Sequence, residues 1–247
     1  VWLHRCGPTG LGDIEVKEGI LGAYPPVDLG DPSKTLTVYP GARFDMWRTT
    51  DNVPPFNLDK KLVLNGATIN SGFTPANAGS NVWVGPVNLS LTNTLNISSG
   101  DLHLSNSVSG SGGFIKIGAR TLFLHAANTY AGPTIISAGK VVLGAEGTLG
   151  SGDLVEFRGA GTLDMSASGE ELTLGSGGAL IGVHGATVVG NVNLQNGATF
   201  DVGKGQPGVV TVDGDLSLSG VTVQTVLGPD PADLTGSVNG LIRITGT

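Results

Sequence analysis

The stretch from Gly112 to Leu143, GGFIKIGARTLFLHAANTYAGPTIISAGKVVL, constrains the fold more than any other part of the chain. Apolar residues recur at alternate positions, as Ile115/Ile117 and Leu122/Leu124, and then as Ile136 and Val141/Leu143. A period of two places every second side chain on one face, the pattern of a half-buried strand. The breaks between these pairs are glycines and an Asn-Thr-Tyr step, too short for crossover helices. Short, numerous strands punctuated by Gly imply a chain that coils on itself, each coil burying its inner face against the next.

Composition supports the same architecture. Gly accounts for 41 of 247 residues, more than twice the usual share. No strict G-x-y period runs through the chain, which excludes collagen. Recurrent Val/Ile/Leu pairs, within 39% hydrophobic residues, exclude a disordered chain. Dense turns remain as the use of so much Gly. Two Gly-rich segments, 19–46 and 139–165, align with a nearly constant offset and read as a tandem repeat. Asn-Gly-Ala-Thr also recurs, at 65–68 and 196–199. The predicted fold is all-β: one right-handed parallel β-helix over residues 1–247. At about 20 residues per coil it has about a dozen coils in a rod some 55–60 Å long. Proline-bearing stretches near 49–57, 71–80 and 228–236 read as loop insertions from its corners.

The same stretch resembles the autotransporter-associated β-strand repeat, which runs roughly GGLxKxGxGTLxLxGxNTYxGxTxxxxGxL. The likeness rests on Gly112-Gly-Phe-Ile-Lys-Ile-Gly118, Thr121-Leu-Phe-Leu124, Asn128-Thr-Tyr130, Gly132, Thr134 and Gly139 through Leu143. Arg120 and Ala126 stand where Gly is usual in that pattern, both at turns. The resemblance implies a right-handed parallel β-helix on a bacterial surface or secreted protein. It implies no single activity, because the repeat serves as scaffold.

Charge narrows the partners. A net charge of −7 and no basic cluster beyond Lys60-Lys61 argue against nucleic acid. No apolar run is long enough to form a membrane-spanning helix. The chain begins Val-Trp-Leu-His and carries no leader pattern, so it reads as a piece of something longer. The single Cys6 cannot form an intrachain disulfide. It reads as a free interior thiol or an intermolecular one.

Motifs for catalysis are sparse. Gly203-Lys-Gly205-Gln-Pro-Gly208 fits GxGxxG, but a strand follows it where a nucleotide site needs a helix. His4, His103, His125 and His184 lack zinc spacing. Asp213/Asp215, Glu170/Glu171 and Asp13/Glu15/Glu18 are the acidic clusters, and they read as turn formers. Thr35/Thr37 and Thr92/Thr94 are isolated Thr-x-Thr pairs. Asn88-Leu-Ser90 and Asn96-Ile-Ser98 fit the glycosylation pattern.

No catalytic, cofactor-binding or metal set emerges, and no cofactor is expected. The reading is a non-enzymatic structural or adhesive module, extracellular or on the bacterial cell surface. Its expected partners are surface or matrix components, glycans among them. Two alternatives are a fibre subunit self-associating end to end, with Leu241–Ile244 as the sticky strand, and a carbohydrate-active β-helix enzyme.

Overall fold

A computed structural model describes residues 1–4, 11–48, 56–73, 79–206, 208–225 and 241–244. For His4, Phe73 and 241–244 only the backbone is described. These residues form 28 strands and no helix. Every strand pair is parallel, and the chain winds as a β-solenoid. The predicted fold class is therefore observed.

An eleven-stranded sheet and a nine-stranded sheet form two of the three faces. The third face is divided. A five-stranded sheet covers its N-terminal part, ending at Val108–Ser109, and a three-stranded sheet resumes at Glu171–Leu174. Ten steps along the longest sheet, at about 4.8 Å each, give a ladder of about 48 Å. This is shorter than the predicted rod, because many coils take more than about 20 residues and fewer of them fit the chain. The coil that brings Phe114 to Thr134 is shorter than the one that brings Thr68 to Thr94.

The core is an aliphatic stack built from alternate residues. Leu102, Leu122, Val141, Leu163, Val188 and Val212 lie in one inward column of the nine-stranded sheet, all fully buried. Leu124, Leu143, Val155 and Phe157 point inward as the alternation predicts. Each methylene hidden in such a column is worth about 0.8 kcal/mol.

The two segments read as a tandem repeat occupy different faces. Ile20–Tyr24 belongs to the eleven-stranded sheet, whereas Lys140–Leu143 belongs to the nine-stranded one. Their likeness is that of a turn-and-strand unit, not of a coil. The Asn-Gly-Ala-Thr recurrence is structural. Both copies make the corner entering the eleven-stranded sheet, with Gly66 and Gly197 at positive φ and Ala67 and Ala198 buried.

Strands reach into the ends of two of the predicted insertions. Phe56–Leu58 is a strand within the first, and Thr68–Phe73 and Ser80–Trp83 bound the second. The rest of these two, the third insertion at 228–236, and Cys6 lie outside the described residues.

Candidate interaction wall

The outward side of the nine-stranded sheet carries two columns of half-buried side chains. One runs Asp101, Thr121, Lys140, Thr162, Thr187 and Thr211. Parallel pairing stacks these residues one per coil, at about 4.8 Å. Three successive threonines therefore present a regular hydroxyl row. Its members lie a full coil apart in sequence, so no Thr-x-Thr motif announces it.

The second column runs Val82, His103, Phe123, Val142, Asp164 and Val189, and ends at the exposed Asp213. At its centre the Phe123 ring lies parallel to the His103 ring, with centroids 4.2 Å apart. His103 Nδ1 and His125 Nε2 are 2.9 Å apart, and their ring planes differ by 6°. A centroid separation of 5.2 Å at that nitrogen distance places the two imidazoles edge to edge in one plane. They share a single hydrogen bond, so one nitrogen donates and the other accepts. Burial, and then the nearby His125, push the His103 pKa below its ordinary value. Two histidines that look scattered in sequence meet because one coil separates them.

Ion pairs tie the edges of this wall. Arg120 Nε lies 3.5 Å from Asp101 Oδ1, and Lys140 Nζ lies 3.3 Å from Asp164 Oδ2. Burial pushes the Asp164 pKa up, but hydrogen bonds from Ser166 and the Lys140 ammonium outweigh it and hold it below normal.

Other residues singled out in the sequence have structural partners. Lys204, at φ 49, lies in the turn that leaves Thr199–Val202 of the eleven-stranded sheet for Val209–Asp213 of the nine-stranded one. Its ammonium reaches Glu156, two coils earlier, which Arg158 also holds at 3.0 Å. The GxGxxG match is thus a turn carrying an ion pair across coils. Asp13 accepts from the Thr35 amide, and Glu15 pairs with Lys17 and accepts from Tyr39. Asn191 accepts from the Asp215 amide. Among the described residues, no three His, Cys, Asp or Glu side chains come together as a metal site.

The repeat-like stretch is a coil that replaces its third-face strand with irregular chain. Asn128 Oδ1 accepts from the Val108 amide at 2.7 Å, and Asn128 Nδ2 donates to the Thr148 carbonyl at 2.6 Å. One side chain therefore joins three successive coils. Tyr130 fills the interior left by the missing strand, and its hydroxyl meets Thr134 Oγ1 at 2.7 Å. A Cβ on Gly150 would collide with Tyr130, so the next coil closes over the ring only with glycine there. Lys116 sits in a core position, its ammonium donating to the carbonyls of Gly118 and Ala138 at 2.6 and 2.9 Å. Burial lowers its pKa to about 8.

Residues 114–143 match the Passenger-associated-transport-repeat family. The chain is also 30% identical, over 193 residues, to the adhesin BmaC autotransporter of Brucella suis biovar 1 (strain 1330). That alignment covers 77% of this chain and 5% of the adhesin, so the chain spans a small fraction of its relative's length. No solved structure matches the chain.

Proposed function

We propose that this chain, a repeat protein of the autotransporter passenger type from the bacterial cell surface or the medium outside it, is a non-enzymatic adhesive segment. The observation that carries this reading is the outward wall of the nine-stranded sheet. Its threonine row, Thr162, Thr187 and Thr211, runs beside Asp164, Val189 and Asp213, and continues on earlier coils into the aromatic and apolar group His103, Phe123 and Val142. A flat wall of hydroxyls, apolar and aromatic groups and scattered charges suits many weak contacts with an extended partner. Host-surface or matrix polymers, glycans included, have that form. Stacked coils hold the spacing without ordering cost at the moment of contact. Likeness to an adhesin supports the same reading.

The test is surface display of the chain on a non-adherent bacterium and counting of cells attached to epithelial layers or matrix-coated wells. Wild-type chain should confer attachment. Replacing Thr162, Thr187 and Thr211 together by Lys should lower it at least threefold while circular dichroism stays unchanged. Equal attachment by the variant would overturn the assignment to this wall. Release of oligosaccharides by purified protein would favour the enzyme, and head-to-tail polymers in micrographs the fibre subunit.

A further inference from the structure

Two glycines of the eleven-stranded sheet stand inside strands, where glycine weakens pairing and packs nothing. Gly22 lies within Ile20–Tyr24 and Gly72 within Thr68–Phe73. Neither has a positive φ, so no turn requires them. Each is required by an indole instead. A Cβ on Gly22 would fall 2.3, 2.4 and 2.7 Å from three ring atoms of Trp2, and one on Gly72 would fall 2.1 Å from two ring atoms of Trp47. Trp2 and Trp47 lie one coil before these glycines and pair with them in register. Each indole therefore leans over the next coil and rests on a position that carries no side chain.

Both indoles belong to the outer side of the sheet. Leu21, Ala23, Phe44 and Met46 take the inward positions of their strands, which turns Arg43, Asp45 and Trp47 outward. Three ring atoms nearly equidistant from one point place Trp2 face down on Gly22. Its other face is turned away from the sheet, and the residue is 55% exposed. Trp47 is half-buried. The third tryptophan differs: Trp83 is fully buried, and its Nε1 donates to the Lys60 carbonyl at 2.9 Å. Among the described residues, the Nε1 groups of Trp2 and Trp47 have no partner, so the wall holds two unused donors.

The wall around them is neutral and hydrogen-bonding. Thr68, Asn70, Thr94 and Asn96 take the outward positions of the next coils, and Asn96 Nδ2 donates to Asn70 Oδ1 at 3.0 Å. The charges in these columns, Arg43 and Asp45, close on each other through two bonds of 2.7 and 2.9 Å. The two indole seats are two coils and two residues apart, about 12 Å, so a ligand that uses both is a chain of units.

We propose that this part of the eleven-stranded sheet binds a neutral, ribbon-like β-linked glycan. The C–H faces of its sugar rings stack on the indoles, and its hydroxyls accept from the indole N–H groups and meet the Asn and Thr side chains. A flat wall selects a straight chain over a coiled one. A wall whose charges are already paired selects an uncharged chain, because a charged one would lose water without gaining a partner. The site lies on a different face from the threonine row, so either assignment can fail without the other.

The probe is cellohexaose, a straight β-linked glucan, with maltohexaose, its coiled α-linked isomer, as control. Titration calorimetry of the intact chain should show cellohexaose binding, with maltohexaose at least tenfold weaker. Tryptophan emission should shift to the blue as the indoles leave water. Trp2→Ala should weaken binding at least fivefold with an unchanged melting temperature, because the side chain is exposed. Gly22→Val fills the seat and lifts the indole without removing it, and the same loss is expected. If that variant misfolds, Trp2→Ala decides. Replacing Thr162, Thr187 and Thr211 by Lys should leave cellohexaose binding unchanged, which separates this site from the threonine row. No cellohexaose binding would overturn the proposal. So would equal binding by Trp2→Ala, or equal affinity for maltohexaose. Attachment to uncharged lipid vesicles that is lost in Trp2→Ala, without glycan binding, would overturn it by assigning the indoles to a membrane surface.

Discussion

Asn128 shows how much a single side chain can hold in a solenoid. It accepts from one coil and donates to another, so truncation strands the Val108 amide and the Thr148 carbonyl in a buried corner. Each orphaned group costs about 1–3 kcal/mol, and Asn128→Ala should destabilise the protein by about 2–4 kcal/mol in urea unfolding. A loss below about 0.5 kcal/mol would mean that water replaces the side chain. Lys116 gives a pH signature of known sign. Its folded pKa, about 8, lies below the unfolded value near 10.4, so the unfolded chain binds more protons between them. This group therefore adds stability as pH rises through that window. The stability of wild type minus that of Lys116→Met should grow from pH 8 to pH 10. A flat difference would show that the ammonium is not desolvated. The Lys was visible in the sequence as part of a repeat pattern. Its place in the core was not, because a lone Lys in an alternating strand carries no sign of the carbonyls that meet it.

At the scale of the strand, alternation was enough to identify the fold and most inward residues. It misled at Phe114–Ile117, where Phe114 and Lys116 face inward and the apolar pair Ile115/Ile117 lies on the half-buried outer side. Leu122, Leu124, Leu143, Val155 and Phe157 follow from period two alone. Which strands stack is another matter. Coil length varies along the chain, and each extra turn residue shifts the next coil without disturbing local pattern. This is why segments 19–46 and 139–165 looked like one repeat yet fall on different faces. It is also why the threonine row, the His103–His125 pair and the third-face break were not legible. Each depends on register across a coil rather than on neighbours in sequence. The histidine pair makes its own prediction. A lowered folded pKa at His103 means stability that is present above the free imidazole value, about 6.5, and is lost as pH falls below it. Proton NMR should place the His103 titration below 6.5, and His125→Ala should move it up. A midpoint at or above 6.5 in the wild type would contradict the shared hydrogen bond in its buried setting.

Across the whole molecule, stability is a sum of coils and of the interfaces between them, so the weakest interface decides where unfolding divides. The third-face break near residues 144–177 is that interface, since the other two ladders continue across it while no backbone bond among the described residues joins 144–152 to 165–177. The coils beyond it bury their inward residues, Val188, Val192 and Val212 among them, but the last of them is thinly covered, with Leu218 and Val223 41% and 44% exposed. Tryptophan reports on one side only: Trp2, Trp47 and Trp83 all lie before the break. Far-ultraviolet circular dichroism reports on both sides. The coils after the break should melt first, so the dichroism signal should begin to fall at a lower urea concentration than tryptophan fluorescence changes. Removing residues 165–247 should abolish the early phase and leave the fluorescence transition near its original midpoint. Coincident curves from the two probes in the intact chain would show that the two continuous ladders carry cooperativity across the break, and that the solenoid unfolds as one unit.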